Sequence, residues 1–336
     1  MTQAAPMLTQ KIFGALTDGQ LHSGEALAEA TGVTRSAVWK AISQLRGMGL
    51  LIEAQTNRGY RLGASCEALN VSAIRGDLPK EISDLAQLEV VWEIGSTNAR
   101  LLESQPPTAG EFAVLLAENQ TGGRGRRGRR WQAALGDSLC LSIATNFEPL
   151  PHDLPALSLV VGTCVREALL SCGVRDISLK WPNDVVILSA SAQLVKLGGI
   201  LVELRAEAVG PALVVVGIGL NLRLGEDKKK LIAESGTLAG DLESLGLDAG
   251  KRNAVAAAII GRVIAGLKRF AVEGFAPFIE DWRAADVLYD QPIRVLDGSS
   301  ERQGIARGID EQGALQLEHA TGHRSAILAG EISVRT

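Results

Sequence analysis

The sequence predicts an α+β protein in three parts: a winged helix-turn-helix head, a mixed α+β core and a small C-terminal β-barrel. Three observations carry this. Residues 23–38 read as helix, glycine-containing turn, helix. Between Leu88 and Asn221 several strands follow one another with helices grouped before and after, which disfavours a regular βαβ or Rossmann sheet. The last fifty residues break into short strands at Asp297-Gly298 and Gln312-Gly313. The expected boundaries are 1–63 for the head, 64–86 for a linker, 87–284 for the core and 285–336 for the cap.

In the head, an apolar helix over 8–16 precedes the helix-turn-helix, whose second helix is capped by Thr34. There Val38, Ile42 and Leu45 recur at spacings of four and three. Arg35, Ser36, Lys40, Ser43 and Gln44 fall on the other face, as donors suited to phosphates and base edges. Residues 50–62 read as a hairpin wing around Asn57-Arg58-Gly59 that carries Arg58 and Arg61. Trp39 is expected to pack under that wing. Six cations (Lys11, Arg35, Lys40, Arg46, Arg58, Arg61) against four acids (Asp18, Glu25, Glu29, Glu53) leave the head at +2 and the remaining chain at −6. That asymmetry favours a DNA-binding head on a body that does not bind DNA, although winged helices also serve as protein-contact modules.

The core begins with the strand VVWEI, and Gly95-Ser96-Thr97-Asn98 opens a helix. Strands over 111–118 and 138–143 flank an arginine-rich loop, and a long apolar helix covers 156–171. Next come a strand ending in Lys180-Trp181-Pro182-Asn183-Asp184, a second strand, Lys196-Leu197-Gly198-Gly199 feeding a strand over 200–204, and a strand over 212–216 running into Gly217-Ile218-Gly219-Leu220-Asn221. Residues 224–250, charged and glycine-rich, read as a mobile loop, and 254–282 as helix. Strands are expected at 293–296, 303–309, 315–318 and 325–328.

With 336 residues, 46% of them hydrophobic, the chain can bury the cores of two or three domains. There is no run of eighteen apolar residues and no basic-then-apolar leader, so neither a membrane span nor a secretory signal is expected; the predicted location is the cytoplasm. The four cysteines lack a CxxC spacing. The four histidines are scattered, so no disulfide framework and no structural metal are expected.

Residues 123–131 read Gly-Arg-Gly-Arg-Arg-Gly-Arg-Arg-Trp. Glycines let backbone N–H groups approach an anion, and guanidinium groups bind phosphate or carboxylate in bidentate fashion. Such a run on its own is equally a solvated loop or a nucleic-acid patch. Its place between two core strands, in a chain of net charge −4, makes it a positioned, local site instead. Lys180 stands before a proline turn that Asn183 and Asp184 can cap, though the turn can also be purely structural. Gly217 and Gly219 read either as turn glycines or as points of close approach to a ligand.

No Ser/His/Asp set, acid pair or Walker-type loop is present. What remains is cationic and dipolar: Ser96, Thr97 and Asn98 at a helix start, Gln120, Arg124 to Arg129, and Lys180. This set suits a reaction that brings two anions into line, such as activation of a carboxylate by MgATP.

On these residues the chain resembles a bacterial bifunctional biotin-protein ligase of the biotin-repressor type. The matching stretches run nearly end to end: SGEALAEATGVTRSAVWKAI, GSTN, AENQTGGRGRRGRRW, LKWPNDV, KLGGILVE, GIGLN, GIDEQGAL and GEIS. The resemblance implies a winged helix, a class II synthetase-like core and an SH3-like barrel. It also implies synthesis of biotinoyl-5′-AMP from biotin and MgATP, then transfer to one lysine of the biotin carboxyl carrier protein of acetyl-CoA carboxylase. By position, Ser96, Thr97, Asn98, Gln120, Arg124, Gly125, Arg126, Lys180, Gly217 and Gly219 would hold biotin or the adenylate, with Lys180 and Arg126 at the reacting groups. Arg127, Arg129, Asn183 and Asn221 would meet ATP. The adenylate would act as corepressor, promoting a homodimer that binds operator DNA of biotin-synthesis genes through Arg35, Ser36, Lys40, Gln44, Arg58 and Arg61. The departure lies at 224–250, where Leu231, Ile232 and Leu238 are the obvious apolar residues able to clamp an adenine. Two other readings compete: a transcription factor that senses a carboxylate without turnover, and a lipoate or octanoate ligase.

Overall fold

The computed structural model describes residues 4–56, 58–133, 135–206, 211–233, 238–297, 300–328 and 330–334. The head comprises α1 (Ala4–Leu16), α2 (Gly24–Thr31), α3 (Arg35–Gly47) and the antiparallel wing β1 (Ile52–Gln55) and β2 (Gly59–Leu62). Ser23 Oγ accepts from the Ala26 N–H at the start of α2, and Gly32 closes that helix at φ 70°, the left-handed conformation glycine adopts without strain. Thr34 Oγ1 caps α3 through the Ala37 N–H, as expected. His22 and Tyr60 exchange backbone hydrogen bonds of 2.9 and 2.8 Å, stitching the wing to the entry of α2. A Cβ on Gly59 would sit 1.9 Å from the His22 carbonyl, so this crossing requires glycine. Asn57, expected in the wing turn, lies outside the described residues.

The stretch 64–86, expected as a linker, is instead part of the core. It folds into α4 (Val71–Asp77) and α5 (Lys80–Ser83), and Leu69, Ile74, Leu78 and Ile82 are buried with the main hydrophobic cluster. Polar residues between these apolar ones disguise an amphipathic pattern.

The central sheet holds β3 (Ala86–Ile94), β4 (Phe112–Gln120), β5 (Ser138–Phe147), β6 (Ser178–Lys180), β7 (Asp184–Leu188), β8 (Leu194–Ala206) and β9 (Ala212–Asn221) in the order β3-β4-β5-β9-β8-β7-β6. Among the described strands of this sheet, β3 and β4 pair in parallel and the other neighbours antiparallel, which bears out a mixed α+β core. The helix α6 (Thr97–Glu103), opening at Ser96, packs on β5 and β9. Lys196-Leu197-Gly198-Gly199 lies inside β8 and does not lead into it, because both glycines pair in the ladder.

Helices α7 (Leu157–Ser171) and α9 (Arg252–Glu273) pack together and contact the sheet. Residues 154–171 match a membrane span in length and apolarity, yet 61% of that stretch is buried in the protein. The supposed mobile loop at 224–250 carries α8 (Glu226–Ala233) and a 3₁₀ turn, and Leu242, Leu247 and Ala249 are buried. The expected helix over 254–282 is two: it stops at Gly274 and resumes as α10 (Ile279–Ala285).

The cap is a five-stranded antiparallel sheet with β10 (Pro292–Asp297), β11 (Ser300–Ile309), β12 (Leu315–Glu318), β13 (Arg324–Ile327) and a fifth strand the pattern missed, β14 (Glu331–Val334), ordered β13-β12-β11-β10-β14. A bulge between Ala306 and Ile309, with Gly308 at φ 75°, bends β11.

Candidate active site and nucleic-acid interface

A cavity of about 860 Å³ opens over β8, β9, the arginine loop, the turn after Lys180 and the edge of the cap. Its lining gathers every residue predicted for biotin, ATP or the adenylate: Ser96, Thr97, Asn98, Gln120, Arg124, Gly125, Arg126, Arg127, Arg129, Lys180, Asn183, Gly217, Gly219 and Asn221. Ile232 and Leu238 also line it, while the Leu231 side chain lies outside the described residues. Seven cationic side chains face two carboxylates there, Asp184 and Glu331, so the cavity is built for anions.

The arginine loop folds back on itself. The Gly125 N–H donates to Arg129 O at 2.8 Å and the Trp131 N–H to Gly123 O at 2.9 Å, around a turn in which Arg127 takes φ 56°. Arg126 donates to Asn183 Oδ1 at 3.3 Å, Arg127 to Leu296 O at 3.3 Å, and Arg129 pairs with Glu331, so the loop rests on both the proline turn and the cap. Burial, with Arg127 next, pulls the Arg126 guanidinium below its usual pKa.

Lys180 ends β6. Burial draws its ammonium below the ordinary lysine pKa, Asp184 opposes this, and Lys196 reinforces it. It has no ion-pair partner among the described residues. The turn after it is not capped by its own side chains, as the sequence suggested. Asn183 Nδ2 donates to Ile200 O at 2.7 Å, Asp184 Oδ1 accepts from Lys196 Nζ at 2.5 Å, and Trp181 Nε1 donates to Gly313 O at 3.0 Å. These partners belong to β8 and the cap, which therefore hold the turn after Lys180 in place.

At the other end, Gln120 Oε1 accepts from the Thr97 N–H (2.8 Å) and Oγ1 (3.1 Å), which leaves its amide nitrogen free of those bonds. Ser142 Oγ lies 2.7 Å from Thr97 Oγ1 and donates to Asn98 Oδ1 at 2.5 Å. Gly217 and Gly219 are strand residues, not turn residues, and both line the cavity. Both sit in β9, where a Cβ would fall 2.3 Å from Asn98 Oδ1 and 2.5 Å from the Trp131 ring. Sequence reading assigned no role to Trp131, Ser142, Lys196 or Glu203; for Lys196 and Glu203 the KLGGILVE stretch was the available signal.

On the head, Arg35, Ser36, Lys40, Gln44, Arg58 and Arg61 are exposed. Three have partners: Ser36 Oγ lies 2.9 Å from the Thr34 hydroxyl, Gln44 Oε1 accepts from Thr9, tying it to α1, and Arg61 pairs with Glu53 across the wing at 2.7 Å. Trp39 does not pack under the wing. It is 60% exposed on the face shared with Lys40, because the buried positions of α3 are Val38, Ala41, Ile42 and Leu45.

Residues 94–221 match the biotin/lipoate A/B protein ligase family, 9–61 a helix-turn-helix domain, and 289–335 the biotin protein ligase C-terminal domain. The bifunctional ligase/repressor BirA of Escherichia coli is 36% identical over 329 residues, 97% of each chain. The biotin–[acetyl-CoA-carboxylase] ligase of Mycobacterium tuberculosis is 33% identical, over 79% of this chain and 95% of its own. A biotin protein ligase from Aquifex aeolicus, solved in complex with biotin and ATP, superposes with TM-score 0.61 at 30% identity, over 74% of this chain and 98% of that one. With 36% identity over an alignment that spans 97% of the E. coli protein, and so takes in head, core and cap, the chain belongs to the bifunctional ligase/repressor family of biotin protein ligases.

Proposed function

We propose that the chain activates biotin with ATP and passes it to a lysine of the biotin carboxyl carrier protein of acetyl-CoA carboxylase. The observation that carries this reading is Lys180: a partly buried cation without an ion-pair partner among the described residues, in a cavity lined by five arginines. A lone desolvated cation is stabilised when an anion arrives. In the first step a biotin carboxylate oxygen attacks the α-phosphorus of ATP and pyrophosphate leaves. In the second, a neutral lysine amine attacks the acyl carbonyl, AMP leaves and the amine loses its proton. Lys180 and Arg126 neutralise the charge of carboxylate and α-phosphate, and Gln120 and Thr97 meet the biotin head group. Arg127, Arg129 and Asn183 face the nucleotide. Asn221 suits adenine, because its buried Oδ1 has no hydrogen-bond partner and would accept from the exocyclic amine.

Among the described residues no three His, Cys, Asp or Glu side chains gather that could hold a metal. Mg²⁺ enters with ATP, carried on its phosphates. In the adenylate-bound state the chain pairs with a second copy and the two heads bind operator DNA of biotin-synthesis genes, a shift of population by ligand.

The test is biotin-dependent pyrophosphate exchange with MgATP, followed by labelling of a carrier domain. Lack of exchange with DNA binding intact would replace the ligase by a sensor. Preference for lipoate in a competition assay would replace the substrate.

A further inference from the structure

Glu203, near the end of β8, touches two separate parts of the cavity wall. Its Oε2 accepts from Asn98 Nδ2 at 2.9 Å, and its Oε1 lies 3.6 Å from an Arg124 nitrogen. Asn98 is 3% exposed and fully engaged: its two amide hydrogens go to Glu203 and to Leu201 O (3.2 Å), and its Oδ1 accepts from Ser142. The carboxamide is seated on Gly217, where any Cβ would displace it. With no amide hydrogen left for a ligand, Asn98 works as a strut at the start of α6, and Glu203 is the charged group at its far end.

We propose that Glu203 is a positioning residue that couples the α6 end of the cavity to the arginine loop. One carboxylate oxygen fixes Asn98, and with it Thr97 and the Gln120 carboxamide that Thr97 engages. The other draws Arg124 inward over the same space. The head-group pocket and the closing loop are thus registered against a single side chain that itself lies outside the cavity lining. The inference rests on the reading that biotin occupies the space between these limbs.

The experiment is a double-mutant cycle on the full chain, read as the dissociation constant for biotin alone, with thermal stability recorded in parallel. Glu203→Gln keeps an acceptor for Asn98 and removes the charge facing Arg124. It should weaken binding about 2- to 5-fold, the range of a half-exposed ion pair. Glu203→Ala removes both links and should weaken it about 10- to 100-fold, as expected for a charged hydrogen bond to a buried amide. Glu203→Gln added to Arg124→Ala should cost nothing further, a non-additivity that a general loss of stability would not produce. Losses that multiply in the double variant, or a Glu203→Ala protein that binds biotin like wild type, overturn the inference. Wild-type protein that binds no biotin overturns the functional reading and this inference with it.

Discussion

Arg252 and Glu118 form an ion pair at 2.7 Å with side chains 0% and 4% exposed. Glu118 lies near the end of β4, where the arginine loop departs, and Arg252 starts α9. Arg252 also donates to Glu67 O and Ser138 O, and Glu118 accepts from the Leu69 N–H, so one buried pair pins four segments. Glu118→Gln leaves a buried guanidinium uncompensated and should cost about 3–5 kcal/mol of unfolding free energy in urea titration. Glu118→Leu combined with Arg252→Met should recover part of that loss. A single variant as stable as wild type would contradict this pinning role.

Lys180→Ala should lower the rate of pyrophosphate exchange about 10²- to 10³-fold, the usual cost of losing one preorganised charge at a reacting oxyanion. Because burial depresses the ammonium pKa, the charged form is lost on the alkaline side before that of a free lysine. The alkaline limb of the exchange rate should therefore lie below 10.5 and move upward in Lys180→Arg. An unshifted limb in that variant would assign the titration elsewhere.

Arg126→Gly removes the guanidinium bonded to Asn183 and opens the loop over the reacting groups. The adenylate should then escape, and incubation with biotin, MgATP and an unrelated lysine-rich protein should label that protein. Labelling confined to the carrier domain would show that Arg126 does not retain the intermediate.

Burial raises the Asp286 carboxyl to about 6, with a hydrogen bond from the Leu288 N–H opposing. An acid whose folded pKa lies above its unfolded value binds more protons when folded, so stability falls as pH rises from about 4 through 6. Asp286→Asn should remove that slope and gain up to about 3 kcal/mol at pH 7, with little change at pH 4. Parallel stability curves for the two proteins would rule this out.

Lys40 is exposed on α3, on the side away from the head's core. Lys40→Ala should weaken binding to operator and to unrelated DNA alike, lower the slope of log affinity against log salt by about 1, and leave ligation unchanged. Gel shifts at several salt concentrations check this. Loss of discrimination without loss of slope would make Lys40 a base contact.

What the sequence made legible was contiguous: the helix-turn-helix with its Ser23 and Thr34 caps, the arginine loop and the Lys180 turn each carry their chemistry within a dozen residues. Glu203 and Ser142 escaped because each sits in an ordinary β pattern, and only the register of β5, β8 and β9 brings them to Asn98. The segment 64–86 escaped because its buried residues are spaced among polar ones. Trp39 was misplaced since hydrophobicity alone does not tell which side of α3 meets the wing.

Leu135 is the residue by which the two halves of the chain are least separable. It follows the arginine loop, yet it is 0% exposed within the hydrophobic cluster of the head, alongside Phe13 and Leu50. A head cut after the wing would lack two residues of its own core, Cys66 and Leu135, and the leucine alone would cost about 2–5 kcal/mol if the gap were left as a cavity. A body expressed alone would present a bare leucine at the root of its arginine loop. A gene cut at the end of the wing therefore does not yield two finished proteins, and recombination that exchanges heads among such chains must carry a matching partner for position 135.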